Sequence, residues 1–487
     1  MKHSLNQQTA LATIITPIVH TLPESILRRI FDFSIQGSVV LPPPRENQRR
    51  VLTQVCQEWR RIILLTPDYW NSFDFEWTVQ PPSELFFLAE YFFGVPEDTT
   101  PLSISFGRSL LQSDVGRNIL ESVIRPRAHR VRFFSCSITK ETLTTFFERD
   151  PVHLPVLEAI DVAVICDLNG TIASRLPVRG SIDLSAFHRA PHLRDAKLHI
   201  LGGVHSADLK LPWGQLTRLD LGHTCVHVHT FIHIMEESAL LEDGVFCVSF
   251  TRYYDRQPTR LQRISIPLLR SLRLRLLQPS QDARIFGSLY IPLLEVLWVE
   301  RDEPGQAIRD MTIYETLLAG VNANIKCLTI AEYTIPMARQ WFIPWLNRSP
   351  RMTYQRLDGV LRSCNSLTAL FFCPGIFIHP LVIEKIASGE FLPLLEQLGV
   401  NSVRGWDIIW MVQRKNFAST FPDSGPSSSP VVRSLRPVAL TYLRLFTMGC
   451  GLSAADVQKL EDAAMALDLA RGYTMRHIDI ANGRNLI

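Results

Sequence analysis

A short apolar pattern recurs along most of the chain and predicts its main structural element. In each copy, an apolar residue or a proline precedes aliphatic residues at alternating positions, which is the spacing of a strand with one buried face. The copies lie at Leu154–Val162, Pro191–Ile200, Gln215–Leu221, Ile266–Leu274, Ile291–Val299, Ile325–Ile330, Ser366–Phe372, Leu392–Val400 and Leu440–Leu445. A weaker copy near Leu240 precedes another apolar run, Val245–Phe250.

Several segments between these strands have helical spacing instead. They are Val226–Met235, Ile313–Val321, Tyr354–Arg362 and Val382–Ala387. A short strand of this kind buries its apolar face only by stacking on neighbouring copies. We therefore predict an α/β fold in which residues 76–452 form an irregular solenoid of parallel strands and helices. The repeated phrase resembles the L-x-x-L-x-L core of leucine-rich repeats in degenerate form.

Residues 21–75 have a different pattern, which predicts a small helical domain. An early proline, Pro23, precedes apolar residues at helical spacing, and Gly37 ends that segment. A proline-rich loop, Pro42–Pro44, leads to a second helix predicted from about Arg49 to Leu65. Its apolar stripe contains Val51, Val55, Trp59 and Ile62 or Ile63, whereas Arg49 and Arg50 lie largely elsewhere.

The ends of the chain and one internal segment lack the repeated pattern. We expect residues 1–20 to be a disordered lead and Pro422–Pro430 to be a flexible surface loop. Residues 453–487 predict a capping helix and tail, with a capping-box-like start at Ser453 and a helix end at Gly472.

Composition supports a large folded protein. The chain has 487 residues, of which 46% are hydrophobic and 20% charged, so wholesale disorder is excluded. The 63 leucines are concentrated in the repeated strands. The net charge of +3 argues against binding to nucleic acid through bulk charge.

Cysteine usage and hydropathy bear on the compartment. Nine cysteines without a C-x-x-C pair argue against a disulfide scaffold or a zinc ribbon. The apolar run Leu11–Val19 is interrupted by threonines and Pro17, so it is a poor signal peptide. Leu367–Ile383 is too short and too rich in proline to span a membrane. We expect a cytoplasmic or nuclear protein with reduced thiols.

The block from Leu22 to Trp70 resembles the F-box-like domain common among fungal proteins, which reads LPPEIL-x-x-IF, a loop, VC-x-x-WR and TP-x-LW. The matching residues are Leu22, Pro23, Ile26, Leu27, Ile30, Phe31, Val55, Cys56, Trp59, Arg60, Thr66, Pro67 and Trp70. The sequence departs from the family at Glu24, which replaces its second proline, at Ser25, which replaces its glutamate, and at Tyr69, which replaces its last leucine.

The resemblance implies a function. An F-box binds a Skp-type adaptor, which joins a cullin–RING ubiquitin ligase, and the repeats present a protein substrate. It implies that the first six matching residues, from Leu22 to Phe31, contribute to the adaptor-facing surface. Val55, Cys56 and Trp59 then build the small core and its contact edge, and Thr66, Pro67 and Trp70 complete the adaptor-binding set.

The remaining clusters of polar residues predict no metal, nucleic-acid or catalytic site. His223, Cys225, His227, His229 and His233 contain two i, i+4 histidine pairs, but a strand-to-helix turn would scatter the side chains, so we predict no metal site. The basic stretch Arg252–Arg275 is better explained as the solvent side of repeat strands, which suits an acidic peptide, than as a nucleic-acid site. The sequence contains no G-x-S-x-G elbow, P-loop or G-x-G-x-x-G motif.

The sequence therefore predicts a non-catalytic protein without a cofactor, acting as the substrate-recognition subunit of an SCF-type ubiquitin ligase. Its expected partners are a Skp-type adaptor, through it a cullin, and an unknown protein substrate, with neither nucleic acid nor membrane. The alternative is a leucine-rich-repeat interaction scaffold whose F-box is degenerate and serves no ligase.

Overall fold

The computed structural model describes most of the chain between residues 22 and 447, and a short segment near its end. The described residues are 22–44, 46–75, 84–94, 99–107, 110–148, 152–165, 184–200, 209–250, 263–277, 286–302, 312–321, 324–333, 353–355, 357–372, 376–401, 408, 410–412, 414–415, 440, 442–447 and 477–482. Contacts divide the chain into two compact units. Unit 1 holds residues 1–172, 180–193 and 210–212, and unit 2 holds the others.

Unit 1 combines short helices with a parallel sheet. Its helices are α1 (Glu24–Ser34), α2 (Gln48–Thr53), α3 (Gln57–Leu64), α4 (Glu84–Phe93), α5 (Asp114–Asn118), α6 (Lys140–Glu148) and α7 (Ser185–His188), with single-turn or irregular helices at Pro67–Trp70, Leu110–Gln112, Ile119–Ile124 and Arg125–Arg130. Its strands are β1 (Val39–Val40), β2 (Ser72–Phe75), β3 (Leu102–Phe106), β4 (Val131–Thr139) and β5 (Ala159–Ile165). Each strand pairs in parallel with the next in sequence.

Unit 2 repeats a parallel strand many times. Its strands are β6 (Asp195–Ile200), β7 (Arg218–His227), β8 (Asp243–Ser249), β9 (Ile264–Ser265), β10 (Ser271–Leu277), β11 (Leu289–Tyr290), β12 (Val296–Asp302), β13 (Cys327–Tyr333), β14 (Thr353–Gln355), β15 (Ala369–Phe372), β16 (Ile376–Ile378), β17 (Gln397–Asn401), β18 (Tyr442–Thr447) and β19 (His477–Asn482). Its helices are α8 (Val228–Glu237), α9 (Thr312–Ala319), α10 (Asp358–Arg362) and α11 (Pro380–Ser388), with a single turn at Trp213–Gln215.

The strands of unit 2 form a parallel ladder in nearly sequential order. The main ladder runs β6, β7, β8, β10, β12, β13, β15, β17, β18 and β19. Strands β14 and β16 pair with each other, and β16 also pairs with β17. Strands β9 and β11 form a separate parallel pair.

The register of this ladder explains the leucine pattern. One register row contains leucine on six strands, each at most 2% exposed: Leu272, Leu297, Leu328, Leu370, Leu398 and Leu443. Because side chains alternate along a strand, the next residue of each strand points to the opposite face of the sheet. The protein is therefore a mixed α/β protein with long parallel ladders, in which the repeated leucines form a continuous buried row.

The structure confirms the predicted strands and corrects the helices. Each repeated phrase overlaps a described strand, from β5 to β18. The helix predicted from Arg49 to Leu65 is wrong, because α2 ends at Thr53 and α3 starts at Gln57. The extended backbone of Cys56 separates the two helices, and its sulfur accepts a hydrogen bond from the Trp59 amide at 3.5 Å.

Other helix predictions need smaller corrections. The start of the segment Tyr354–Arg362 is strand β14, so the helix there begins only at Asp358. The predicted lead at 1–20, the loop Pro422–Pro430 and the helix from Ser453 to Gly472 lie outside the described residues. None of the described helices has the length and apolar character needed to cross a membrane.

Candidate protein-binding surface

Helix α1 has two apolar faces. Leu27 is 2% exposed and Phe31 fully buried, one turn apart on the inner face. Ile26 and Ile30 lie beside them and are about two-fifths exposed, and Phe33 is 80% exposed. An ordinary surface helix has one apolar stripe, so the second stripe at positions 26, 30 and 33 requires an explanation.

The twelve residues predicted to bind an adaptor fall into three groups of different solvent exposure. Four are exposed, namely Pro23, Ile26, Ile30 and Val55. Four are partly buried, namely Leu22, Cys56, Trp59 and Pro67. Four are buried, namely Leu27, Phe31, Thr66 and Trp70. Leu27 and Phe31 both point into the helical core, so they contribute to an adaptor-facing surface only by supporting the residues that form it.

The core of this block depends on its aromatic residues. The rings of Phe31 and Trp59 meet edge to face with centroids 5.0 Å apart. The indole N–H of Trp70 donates to the Ile63 carbonyl at 2.8 Å. The indole nitrogen of Trp59 is buried without a hydrogen-bond partner in the described part of the chain. Trp59 and Trp70 thus both pack within the block, but their indole nitrogens have different polar environments.

Charged residues connect α1 to α3. Glu24 accepts hydrogen bonds from Arg28 of its own helix and from Arg61 of α3, each at 2.7 Å. These two guanidinium groups, Arg28 first, lower the pKa of Glu24 below its ordinary value. Arg28 also donates to the Thr66 hydroxyl at 2.8 Å. The start of α1 therefore carries a charged contact to α3, at the position where the F-box-like pattern has a proline.

Sequence reasoning missed Arg49, which is 6% exposed. Its guanidinium donates to the carbonyl oxygens of Gly37 at 2.5 Å, Tyr69 at 2.7 Å and Ser38 at 3.3 Å. Burial lowers the pKa of this guanidinium. The helical pattern placed Arg49 off the apolar stripe, and only tertiary structure brings the three carbonyls around it.

Exposed apolar side chains are concentrated in this block. Of the fifteen exposed large hydrophobic residues in the described part of the chain, seven lie between residues 22 and 70: Ile26, Ile30, Phe33, Val51, Val55, Leu64 and Leu65. Scattered exposed apolar residues are normal, but such concentration in about a sixth of the described residues is typical of a protein-binding surface. The helical block is therefore the first candidate surface.

The second candidate surface is the sheet face opposite the leucine row in unit 2. Arg273 of β10 lies over the ring of Trp298 of β12, with the guanidinium carbon 4.2 Å from the ring centroid. Arg273 also donates to the Glu300 carboxylate at 2.5 Å. Two further contacts of the basic stretch lie outside this face: Arg270, just before β10, contacts Glu295, and Arg263, next to β9, lies over Tyr290 of the separate pair β9 and β11. The face with Arg273 and Trp298 presents arginine and aromatic groups that protein interfaces favour.

The histidine-rich segment is divided as its pattern predicts. His223, Cys225 and His227 lie on β7, and His229 and His233 lie on α8. The ring of His227 accepts a hydrogen bond from the His229 amide at 3.4 Å and thereby caps the helix. Within the described ranges, the structure contains no cluster of three His, Cys, Asp or Glu side chains arranged to hold a metal ion.

Comparisons with known proteins add no family assignment. No family model matches this sequence, and no curated protein is significantly similar to it. The two candidate surfaces therefore depend on the residues and contacts of this chain alone.

Proposed function

We propose that this protein is the substrate-recognition subunit of an SCF-type ubiquitin ligase. In this proposal, residues 22–70 act as an F-box that binds a Skp-type adaptor. The second apolar stripe of α1, formed by Ile26, Ile30 and Phe33, is the observation that carries the proposal. It supports adaptor binding because helices with exposed aliphatic and aromatic anchors are common in protein interfaces.

The repeated region would present the substrate. Its sequential parallel ladder, with leucines on one face, is consistent with a leucine-rich-repeat solenoid. The opposite face, with Arg273 and Trp298, is free of the leucine row and suits contact with a protein substrate. The protein would act without catalysis, by holding the substrate near the transferred ubiquitin and raising its effective concentration.

The test compares two apolar double variants of the full chain. Ile26→Ala with Ile30→Ala removes exposed anchors from α1, and Phe87→Ala with Tyr91→Ala removes larger and even more exposed apolar groups from α4. Titration with a purified Skp-type adaptor should show at least about tenfold weaker binding for the α1 pair, since interface anchors contribute about 1–2 kcal/mol or more. The α4 pair should bind like the wild type.

The proposal fails if the folded wild-type chain does not bind the adaptor, or if both double variants bind equally well. The first outcome would favour the non-ligase repeat scaffold with a degenerate F-box. Circular dichroism of both variants, with spectra matching the wild type, confirms that the affinity change comes from the surface and not from unfolding.

A further inference from the structure

Strands β7 and β8 place two cysteines directly opposite each other. Leu221 of β7 lies opposite Phe246 of β8, but the next pair in register is Cys225 with Cys247. Residues 222–224 therefore form an insertion in β7. Within it, the Thr224 hydroxyl donates to the Leu198 carbonyl at 2.6 Å and accepts from the Ile200 amide at 2.9 Å, which fixes the insertion against β6.

This insertion sets which side chains meet. Adjacent parallel strands lie about 4.8 Å apart, and disulfide-linked residues have Cα atoms about 4.4–6.8 Å apart. Register partners on neighbouring strands point to the same face of a sheet. Cys225 and Cys247 thus satisfy the main distance requirement for a disulfide, although the structure contains both as thiols.

The surroundings distinguish the two thiols. Cys225 is partly exposed, and Cys247 is 5% exposed. A hydrogen bond with the Cys247 side chain, then one with Ser249 and the charge of Arg275, lower the pKa of Cys225 despite its partial burial. Arg275 lies in the same register row on β10, directly beside Cys247. A thiol with hydrogen-bond donors and a nearby cation, and with access to solvent, has the features of a reactive cysteine.

Other cysteines of the same chain have the opposite environment. Burial raises the pKa of Cys327, which is also partly exposed and lies on β13. Burial raises the pKa of Cys364 to about 11. Thiols in such apolar surroundings are inert, so the features of Cys225 do not follow from being a strand cysteine in this protein.

We propose that Cys225 and Cys247 form a peroxide-reactive pair, in which Cys225 is the attacking thiolate and Cys247 the resolving thiol. The Cys225 sulfur attacks one oxygen of hydrogen peroxide, the O–O bond breaks, and the leaving hydroxide takes a proton to become water. The Cys225 sulfenic acid formed is then attacked by the Cys247 sulfur. An S–S bond forms, the S–O bond breaks, and hydroxide leaves as water with the Cys247 proton. Two thiols and one peroxide give one disulfide and two waters.

The experiment uses the full reduced chain and near-stoichiometric hydrogen peroxide. Remaining thiols are blocked with N-ethylmaleimide, and peptides are identified by mass spectrometry. We expect a Cys225–Cys247 linked peptide as the main oxidation product, and its loss on treatment with dithiothreitol. In the Cys247→Ser variant, a cyclic 1,3-diketone probe should label sulfenic acid at Cys225. The matched control, Cys327→Ser, should form the disulfide like the wild type.

A second measurement needs no variant. Under native conditions with limiting N-ethylmaleimide, Cys225 of the wild type should react at least about tenfold faster than Cys327. The proposal is overturned if Cys225 and Cys327 react at similar rates. It is also overturned if peroxide oxidises the chain without producing the Cys225–Cys247 linkage.

Discussion

The helical block at residues 22–70 and the ladder of unit 2 treat apolar side chains in opposite ways. In the block, Ile26, Ile30 and Phe33 form a second apolar stripe that faces outward. In the ladder, the leucines of successive strands meet in one buried row, with Leu297 between Leu272 and Leu328. Apolar side chains are therefore buried where neighbouring strands repeat, and part of them stays exposed where no such repeat covers them.

The physical reason is the supply of covering surface. Helix α1 has no neighbouring copy in the described part of the chain that would cover its outer side, so Ile26, Ile30 and Phe33 stay exposed. A strand in a repeated ladder has neighbours on both sides, and each one covers part of the next. Mutations that remove apolar groups should therefore weaken folding in the ladder and binding in the block.

The largest effect should follow from Leu297→Ala. Leu297 is 1% exposed at the centre of the leucine row, so its truncation loses apolar burial and leaves a cavity. We expect the free energy of unfolding to fall by about 3 to 4 kcal/mol. Urea denaturation followed by circular dichroism measures this change.

The matched control is Leu293→Ala, four residues earlier in the same repeat. Leu293 is 40% exposed, so the same truncation should cost less than about 1 kcal/mol. Equal losses at both positions would contradict the view that the buried row, and not leucine content as such, supports unit 2.

The ladder was predictable from sequence because its signal is local and repeated. The alternation of apolar residues in each phrase predicts which face of the strand is buried. Every copy predicts a strand, so an error in the bounds of one strand does not change the predicted ladder. Strands β3 and β4 were missed because Leu102–Phe106 and Val131–Thr139 lack the leading leucine phrase. Their identity as strands depends on pairing with β2 and β5, which sequence alone does not show.

The candidate sites were only partly predictable, for the same reason. The motif identified Ile26 and Ile30, but it could not tell that Leu27 and Phe31 face inward, because i and i+1 positions both lie near the apolar stripe of a helix. The Cys225–Cys247 pair was not visible either, since an insertion in β7 sets its register. Contacts made by tertiary structure leave little trace in local periodicity.

The second prediction compares one buried cation in each region, Lys415 in unit 2 and Arg49 in the helical block. Lys415 of unit 2 is fully buried, and its ammonium donates to the carbonyls of Leu392 at 3.1 Å and Pro393 at 3.4 Å. Burial lowers the pKa of Lys415 from 10.5 to about 8. Between these values the unfolded chain binds a proton that the folded chain does not, so stability rises with pH from about 8 to about 10.5. We expect a gain of about 1 to 3 kcal/mol.

Urea denaturation at several pH values gives the free energy of unfolding of the wild type and of Lys415→Met. Their difference isolates the contribution of Lys415, because the other titrating groups are the same in both proteins. Arg49 of the helical block provides the control, because an arginine keeps its proton throughout this range. The difference between wild type and Arg49→Met should therefore be independent of pH from 8 to 10.5. A flat profile for the Lys415 pair would show that the ammonium stays charged when buried.

The smallest effect should come from Trp59→Phe, in the block itself. Phenylalanine keeps an aromatic edge against Phe31 and removes an indole N–H that has no partner in the described residues, a group that costs about 1 to 3 kcal/mol when buried. Removal of the unpaired N–H stabilises the fold and the loss of ring volume destabilises it, so the free energy of unfolding should change by less than about 1 kcal/mol.

Trp70→Phe is the matched control, because the Trp70 indole N–H donates to the Ile63 carbonyl. That variant should lose about 1 to 2 kcal/mol more, since the buried carbonyl of Ile63 is left without this donor. If Trp59→Phe were as destabilising as Trp70→Phe, the Trp59 nitrogen would have a hydrogen-bond partner in the folded chain, contrary to its position among the described residues.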